Sequence, residues 1–196
     1  MQESEANRLR VISNRDLPHG LTESGIVQAK ELAYRLSGKG VTKVFCSPIP
    51  RARQTAQIVA EELEVECEIS DALREFDCGI FEGRGDSEAW AAHAKVHREW
   101  YEEHRHEARI EGGESYRDIR DRLLPWVTNL LETSHANDVP LLVSHGGTLC
   151  CVLPLLLENV DQAAVTKNGL SYTGMIEAEV VQDRLRCVAW NGQPYL

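Results

Sequence analysis

The sequence predicts an α/β fold, a three-layer α/β/α sandwich with a mostly parallel sheet. Two observations support this class. Several segments carry apolar residues at helical spacing, and short apolar segments typical of buried strands lie between them. Strands that alternate with helices along the chain indicate a sheet covered by helices on both faces. The predicted helices span 22–36, 50–63, 115–133 and 148–157, and the predicted strands span 41–46, 65–69, 139–143, 169–181 and 184–190.

The first three elements have recognisable start and stop signals. Four apolar residues recur at helical spacing after Thr22, which is a suitable N-cap. The strand 41–46 is apolar and ends at Ser47-Pro48. Pro50 then opens the next helix, because proline is favoured in the first turn. Together these elements predict a helix followed by a strand–loop–helix unit.

The next part of the chain begins with a loop at 71–85 that contains three glycines. The charged segment that follows has larger side chains at helical spacing, which predicts a surface helix over 86–108. The strongest helical pattern is 115–133, where Ser115-x-x-Asp118 resembles a capping box. The last two strands are joined by a polar turn.

Composition limits the class of protein. The 196 residues suit a single domain, 1–196, in which we expect 84–109 to be a helical lid or insertion. The net charge of −10 argues against a nucleic acid or an anionic membrane as partner. No apolar run approaches the roughly 20 residues of a membrane span, and the first residues lack a signal core, so we expect a cytoplasmic protein. The six cysteines include no CxxC pair and are expected to be reduced. A homodimer is left open.

Two segments place polar residues just beyond the ends of predicted parallel strands, where ligands bind in such sheets. These are 46–51 and 143–147. Arg51 in the first turn of a helix suits an anion, since free backbone N–H groups also point there. His145, followed by two glycines, would project past the sheet edge. Taken singly, each residue has an ordinary alternative, a solvated arginine and a core histidine bonded to a carbonyl.

Two further groups carry possible chemistry. Glu75 lies in a turn-rich stretch beside Phe76, where a carboxyl group could act as a general acid, although a surface carboxylate is the simpler interpretation. His93-x-x-x-His97 places two imidazoles on one helical face. No acidic residue at a known ligand spacing accompanies them, so we predict no metal site.

Taken together, these segments resemble the histidine phosphatase (phosphoglycerate mutase-like) superfamily in wording and in order. The resemblance covers residues 3–191 and is specific, because five ordered motifs make chance remote. The matching segments are Leu21-Thr22-Glu23-x-Gly25-x-x-Gln28-Ala29, Ser47-Pro48-x-x-Arg51-Ala52-x-Gln54-Thr55-Ala56, Leu73-x-Glu75-x-x-x-Gly79-x-Phe81-Glu82-Gly83, Gly112-Gly113-Glu114-Ser115 and Ser144-His145-Gly146.

The resemblance implies hydrolysis of a phosphomonoester through a phosphohistidine intermediate, on a small phosphorylated metabolite and without a cofactor. By resemblance Arg51 clamps the phosphate, His145 is the second histidine and Glu75 is the acid that protonates the leaving group. Ser47 and Gly146 are implied to bind substrate. Asn7 is implied to add a side-chain contact. The run around Glu75 resembles phosphatases more than mutases, and a phosphoglycerate mutase is the alternative within the family.

The nucleophile is where the resemblance breaks. Family members open with an apolar strand followed by Arg-His-Gly-Glu, whereas here Glu3-Ser4-x-x-Asn7 matches only the continuation of that motif. A second register, with 9–12 as the first strand, puts Ser13-Asn14 at the Arg-His positions and recovers no histidine. We expect a phosphatase whose opening strand and nucleophile lie upstream of residue 1 and whose 196 residues are impaired. The alternative is a phosphate-binding pseudoenzyme. His19-Gly20 superficially matches His-Gly, but no strand aims it.

Overall fold

The computed structural model describes residues 3–195, in which helices and short strands alternate. The helices are α1 (Glu5–Leu9), α2 (Glu23–Leu36), α3 (Pro50–Leu63), α4 (Ser87–Tyr101), α5 (Tyr116–Thr133), α6 (Gly146–Leu156) and α7 (Gln162–Asn168). The strands are β1 (Lys43–Cys46), β2 (Glu66–Ile69), β3 (Pro140–Val143), β4 (Ile176–Val181), β5 (Arg184–Trp190) and β6 (Gln193–Pro194). Two single 3-10 turns, Asp71–Leu73 and Gly79–Phe81, lie in the loop after β2.

The strands form two sheets. The first has the order β2-β1-β3 and is parallel throughout, with Cys46 opposite both Ile69 and Val143 at the carboxyl ends. The second has the order β4-β5-β6 and is antiparallel. Within residues 3–195, β3 has a strand partner on one side only. The segments that follow β1 and β3 therefore emerge side by side at one edge of the parallel sheet.

Helices cover both faces of the parallel sheet. Successive strand residues point to opposite faces, so Val44 and Phe45 enter different cores. Val44 packs with residues of α2 and α3, including Leu32 and Val59. Phe45 lies in a second cluster with residues of α4, α5 and α6. The predicted three-layer α/β/α sandwich is confirmed.

The helix predicted over 86–108 is shorter than expected. It begins after Asp86, whose side chain caps α4, and ends at Tyr101. The chain then turns back through His104, which has a positive φ of 53°, and the N–H of Arg105 donates to the carbonyl of Glu99. α4 is anchored through Trp100, which is 1% exposed within the core.

Two short helices, the two-residue strand β6 and one late strand start were not predicted. α1 is held by a reciprocal cap between Ser4 and Asn7, and α7 by the side chain of Asp161. The strand predicted from 169 begins only at Ile176, because Gly169 and Thr173 adopt positive φ angles that interrupt an extended chain. In the part of the chain that the structure describes, no helix is long and apolar enough to cross a membrane.

Candidate active site

The junction between β1 and α3 forms one side of the candidate site. Ser47 directly follows β1 and is fully buried, and its N–H donates to the carbonyl of Val143 at 3.0 Å. Pro50 then begins α3, and Arg51 follows in its first turn. Arg51 is only 4% exposed. A buried guanidinium requires polar partners, which fixes the side chain inside the protein.

His145 forms the opposite side, at the end of β3. It is the N-cap of α6 and is completely buried. Its Nε2 lies 2.8 Å from the Ser47 hydroxyl, and its Nδ1 lies 3.2 Å from a guanidinium nitrogen of Arg51. The parallel register of β1 and β3 therefore brings residues nearly one hundred positions apart in the chain into direct contact.

The partners of His145 define its tautomer. A guanidinium can only donate, so Nδ1 accepts a hydrogen bond from Arg51. A neutral imidazole then carries its proton on Nε2 and donates it to Ser47. Burial lowers the pKa of His145 well below 6.5, and the charge of Arg51 lowers it further. The imidazole is therefore neutral near pH 7, with Nδ1 directed at the cation.

Arg51 has further partners in the loop after α1. Its guanidinium donates to the carbonyl of Ser13 and lies 3.4 Å from the side-chain oxygen of Asn14. Burial lowers the pKa of Arg51, while the charges of Glu75 and Glu82 oppose that shift. Residues 11–14 form no strand, so the second alignment register, with a strand over 9–12, is wrong. Ser13 and Asn14, which that register places at the Arg-His positions, nevertheless contact Arg51.

Glu75 is held by backbone groups at the start of α6. Its carboxylate accepts from the N–H groups of Gly147 at 2.9 Å, Thr148 at 2.7 Å and Phe76 at 3.1 Å. The N–H groups of Gly147 and Thr148 are free groups at a helix N-terminus, which favour an anion, whereas that of Phe76 belongs to the adjoining loop. Glu75 is 8% exposed, so it is not the surface carboxylate of the simpler interpretation. It occupies the same helix start that His145 caps.

The loop that carries Glu75 is supported by Arg122, which the sequence did not single out. Its guanidinium donates to the carbonyls of Ala72 and Arg74 at 2.6 and 2.9 Å and to Glu114 at 2.8 Å. The glycines of this region are required for packing. Gly79 has a φ of 56°, and a Cβ there would lie 1.9 Å from the carbonyl oxygen of Glu111. The segment around Gly79 and the segment around Glu111 therefore pack directly against each other.

The first described residues are fixed against α2. The N–H of Glu3 donates to Gln28 at 2.9 Å, and a Cβ on Gly25 would lie 2.0 Å from the carbonyl oxygen of Glu3. Gln54 of α3 accepts from the N–H of Leu21 at 2.6 Å. These contacts give a structural role to Gly25 and Gln28 of the motif around Thr22 and to Gln54 of the motif around Arg51. They fix the segment at Glu3 beside α2.

Nearly the whole described chain matches one family model. The model of the histidine phosphatase superfamily (branch 1) matches residues 3–193. The chain belongs to the histidine phosphatase superfamily. The geometry agrees with this family, because the segments around Arg51 and His145 that resemble it meet at the carboxyl ends of the parallel strands.

Individual relatives include mutases and phosphatases. A "Probable phosphoglycerate mutase GpmB" of Yersinia pestis is 34% identical over 154 residues, which cover 76% of this chain and 67% of that protein. The mycobacterial glucosyl-3-phosphoglycerate phosphatase in complex with VO3 is 22% identical with a TM-score of 0.82, covering 98% and 96% of the two chains. The alpha-ribazole phosphatase of Shigella flexneri is 23% identical with a TM-score of 0.79, covering 100% and 95%. These two structures show the shared fold.

The remaining predicted site residues of this superfamily member lie apart from the cluster or make no side-chain contact. Asn7 is exposed, and its side-chain oxygen accepts from the N–H and hydroxyl of Ser4 at 3.0 and 2.7 Å. Its observed partners therefore belong to the cap of α1. Gly146 is the first residue of α6, with open space where a Cβ would lie. The Ser4-x-x-Asn7 spacing could have revealed the cap.

His19 is closer to the site than its sequence context indicated. Its Nδ1 lies 2.9 Å from the hydroxyl of Ser13, whose carbonyl accepts from Arg51. The loop from Asn7 to His19 therefore borders the cluster. Within residues 3–18 no strand leads to His19, and its ring contacts the hydroxyl of Ser13.

His93 and His97 stack on each other with ring centroids 4.6 Å apart, and both contact Phe76, the residue after Glu75. Within the described residues, no third potential ligand joins them in a metal-binding group. Burial lowers the pKa of both, that of His97 to about 4. The Nε2 of His97 is buried, and no hydrogen-bond partner for it is found in the described part of the chain.

These buried histidines predict that acid destabilises the protein. Their folded pKa values lie below 6.5, so the unfolded chain binds more protons and stability falls as pH drops from 6.5 towards 4. His97 alone accounts for up to about 3 kcal/mol. Urea unfolding of His97→Phe across this range should show a flatter pH dependence than the parent, whereas exposed His104→Gln should match the parent. Identical slopes for parent and His97→Phe would contradict the assignment.

Proposed function

We propose that this protein has the site of a phosphatase that cleaves a small phosphomonoester through a phosphohistidine, and that its 196 residues lack the nucleophile. The observation that carries the proposal is the buried contact of Arg51 with His145 and of His145 with Ser47, at the carboxyl ends of two parallel strands. A buried cation beside a helix N-terminus is suited to a phosphoryl group. The expected substrate is therefore anionic and small.

Arg51 is proposed to hold two phosphate oxygens through its planar guanidinium, with the Gly146 N–H and Ser47 near the same group. His145 is neutral in the ligand-free protein, so it would donate to a phosphate oxygen only after gaining a proton on Nδ1. The negative charge of the ligand favours that proton, because it offsets the charge of Arg51. Phosphate binding should accordingly be linked to proton uptake. Asn7 remains a proposed contact, through its side-chain N–H groups, since its side-chain oxygen accepts from Ser4.

Glu75 is proposed as the acid that protonates the leaving oxygen. Its position is set by three backbone donors, and the loop that carries it is braced by Arg122. Segment 84–109, with α4 as its helical part, is proposed as a lid over this side. The contact of His93 and His97 with Phe76 supports that position.

The missing element is a strand that ends in Arg-His-Gly. The 196 residues contain no such sequence, and Glu3 is held beside α2 where the continuation of that motif is expected. The free edge of β3 in the described residues would accept one more strand. These observations support a site that binds phosphate but turns over little. A pseudoenzyme that only binds a phosphate-bearing ligand is the alternative.

Vanadate binding tests the site without requiring turnover. Arg51→Ala should weaken binding to the 196-residue protein about 10-fold or more, because a buried charged donor is lost. Arg53→Ala, an exposed arginine on the same helix, should bind as the parent does. Arg51→Lys keeps the charge without the fork and should fall between them, which preserves the test if Arg51→Ala does not fold. Unchanged binding by both folded Arg51 variants would contradict the proposal.

Mutase activity is the second candidate, favoured by the 34% identity to a protein named as a phosphoglycerate mutase. A mutase needs additional basic residues to retain its phosphorylated intermediate. Segment 84–109 contains basic residues but also many acidic ones, which favours a phosphatase. For the protein as a whole we also propose a cytoplasmic location, no nucleic acid partner and no cofactor or metal. A homodimer is a further proposal. Gel filtration of the purified protein tests the last of these.

A further inference from the structure

We propose that Cys46 and Cys67 are an oxidisable pair that a hydroperoxide converts into a reversible disulfide. Both are free thiols, and their sulfur atoms are 3.8 Å apart. This modification site lies on the two neighbouring strands directly beneath the residues of the candidate active site. Its formation does not depend on any phosphatase activity.

Strand register explains the approach of the two thiols. β1 and β2 are parallel neighbours, and Cys67 stands opposite Val44, two residues before Cys46. Residues two apart on a strand share a face, so both thiols lie on the side covered by α3. The sheet thus sets the pair, but Cys46 and Cys67 are two residues out of register, so closing the 3.8 Å between their sulfur atoms to the bonding distance of about 2 Å requires the strand backbones to move.

The two cysteines differ in access, which assigns their roles. Cys67 is exposed on β2, a strand at the edge of the sheet, whereas Cys46 is 1% exposed. Burial raises the pKa of Cys46 to about 12, with a further contribution from Cys67. An oxidant dissolved in water therefore meets Cys67 first, and Cys46 acts as the resolving thiol.

The reaction balances with a hydroperoxide as oxidant. The Cys67 thiolate attacks one peroxide oxygen, the O–O bond breaks, and Cys67 becomes a sulfenic acid as water or an alcohol leaves with a proton from solvent. The Cys46 sulfur then attacks the Cys67 sulfur, the S–O bond breaks, and water leaves with the Cys46 proton. The peroxide is reduced by two electrons, and the two thiols are oxidised by two. A dithiol reverses the step by exchange.

The disulfide should affect the candidate site, and this consequence rests on the proposed function. Cys46 is bonded to Ser47, whose hydroxyl is the partner of His145. The carbonyl of Cys46 also accepts from the N–H of Ser70 at 2.9 Å. Drawing Cys46 towards β2 displaces the end of β1, so we expect weaker vanadate binding after oxidation, by about 3-fold or more.

Mass spectrometry of the peroxide-treated protein tests the pair. We expect a monomer lighter by about 2 Da, a link between tryptic peptides 44–51 and 54–74, and full reversal by dithiothreitol. Cys67→Ser should abolish the link, whereas Cys150→Ser, a half-buried control, should retain it. A Cys67 sulfinic acid or an intermolecular dimer with Cys46 still reduced would overturn the proposal. A disulfide that forms but leaves vanadate binding unchanged would overturn only its effect on the site, and a failed disulfide would leave the proposed function intact.

Discussion

Adding an apolar strand followed by Arg-His-Gly directly before Glu3 is expected to raise the hydrolysis of p-nitrophenyl phosphate by about 1,000-fold or more. Covalent catalysis requires the nucleophile itself, whereas phosphate binding requires only the donors already present around Arg51 and His145. The remaining site should give the unextended protein a low residual rate. The added strand also has an available partner in the free edge of β3 within the described residues. We therefore expect a higher Tm as well as a higher rate.

A matched extension with Arg-Ala-Gly separates the two effects. It supplies the same strand but no imidazole, so it should raise the Tm equally and leave the rate near that of the 196-residue protein. His19→Ala in the unextended protein should not change the residual rate. Substantial turnover without the extension, lost in His19→Ala, would show that His19 is the nucleophile. Equal turnover by the Arg-His-Gly and Arg-Ala-Gly proteins would exclude the added histidine.

Glu75→Gln in the extended protein is expected to lower kcat by about 100-fold or more for an alkyl phosphate. An alkoxide is a poor leaving group and requires a proton in the transition state, which a glutamine cannot supply. p-Nitrophenolate leaves readily without protonation, so the loss with p-nitrophenyl phosphate should be much smaller. The measurement is the ratio of kcat for the two substrates in each variant.

The comparison of leaving groups distinguishes catalysis from structure. Glu75 also holds the start of α6 through Gly147 and Thr148, and a loss of this support would lower both rates equally. Arg122→Gln provides a control, because it loosens the loop that carries Glu75 without removing the carboxyl group. It should lower kcat for the alkyl phosphate by a smaller factor than Glu75→Gln does, because the carboxyl group is still present. An equal loss for both substrates in Glu75→Gln would contradict its role as the acid.

Sequence patterns predicted the sandwich because each major element has local signals. Thr22 and Ser115 do cap α2 and α5, and Pro50 does begin α3. The two strand ends at 46 and 143 lie side by side in the parallel sheet, as strand order alone could suggest. Short elements were missed, because α1 and α7 depend on single caps at Ser4 and Asp161 and carry little apolar periodicity.

The details of the site required tertiary contacts that no local pattern contains. The hydrogen bond between Arg51 and His145 depends on the register of the parallel strands. Arg122 contacts the loop that carries Glu75 from a helix about fifty residues further along the chain. Asn7 shows the opposite situation. The family resemblance implies a contact with substrate, whereas the side chain of Asn7 accepts a hydrogen bond from Ser4, three residues earlier. Local capping chemistry constrains the orientation of the same side chain that ligand binding would use.

Detection of a phosphohistidine decides whether the extended protein cleaves its substrate through a covalent intermediate. The extended protein and its Arg-Ala-Gly control should be quenched during turnover of p-nitrophenyl phosphate and digested under alkaline conditions, because phosphohistidine is labile to acid. The account predicts a peptide heavier by about 80 Da, with the phosphoryl group on the introduced histidine, and no such peptide from the control or from the 196-residue protein. Turnover by the extended protein with no phosphohistidine, or with the phosphoryl group on His19 or His145, would contradict it.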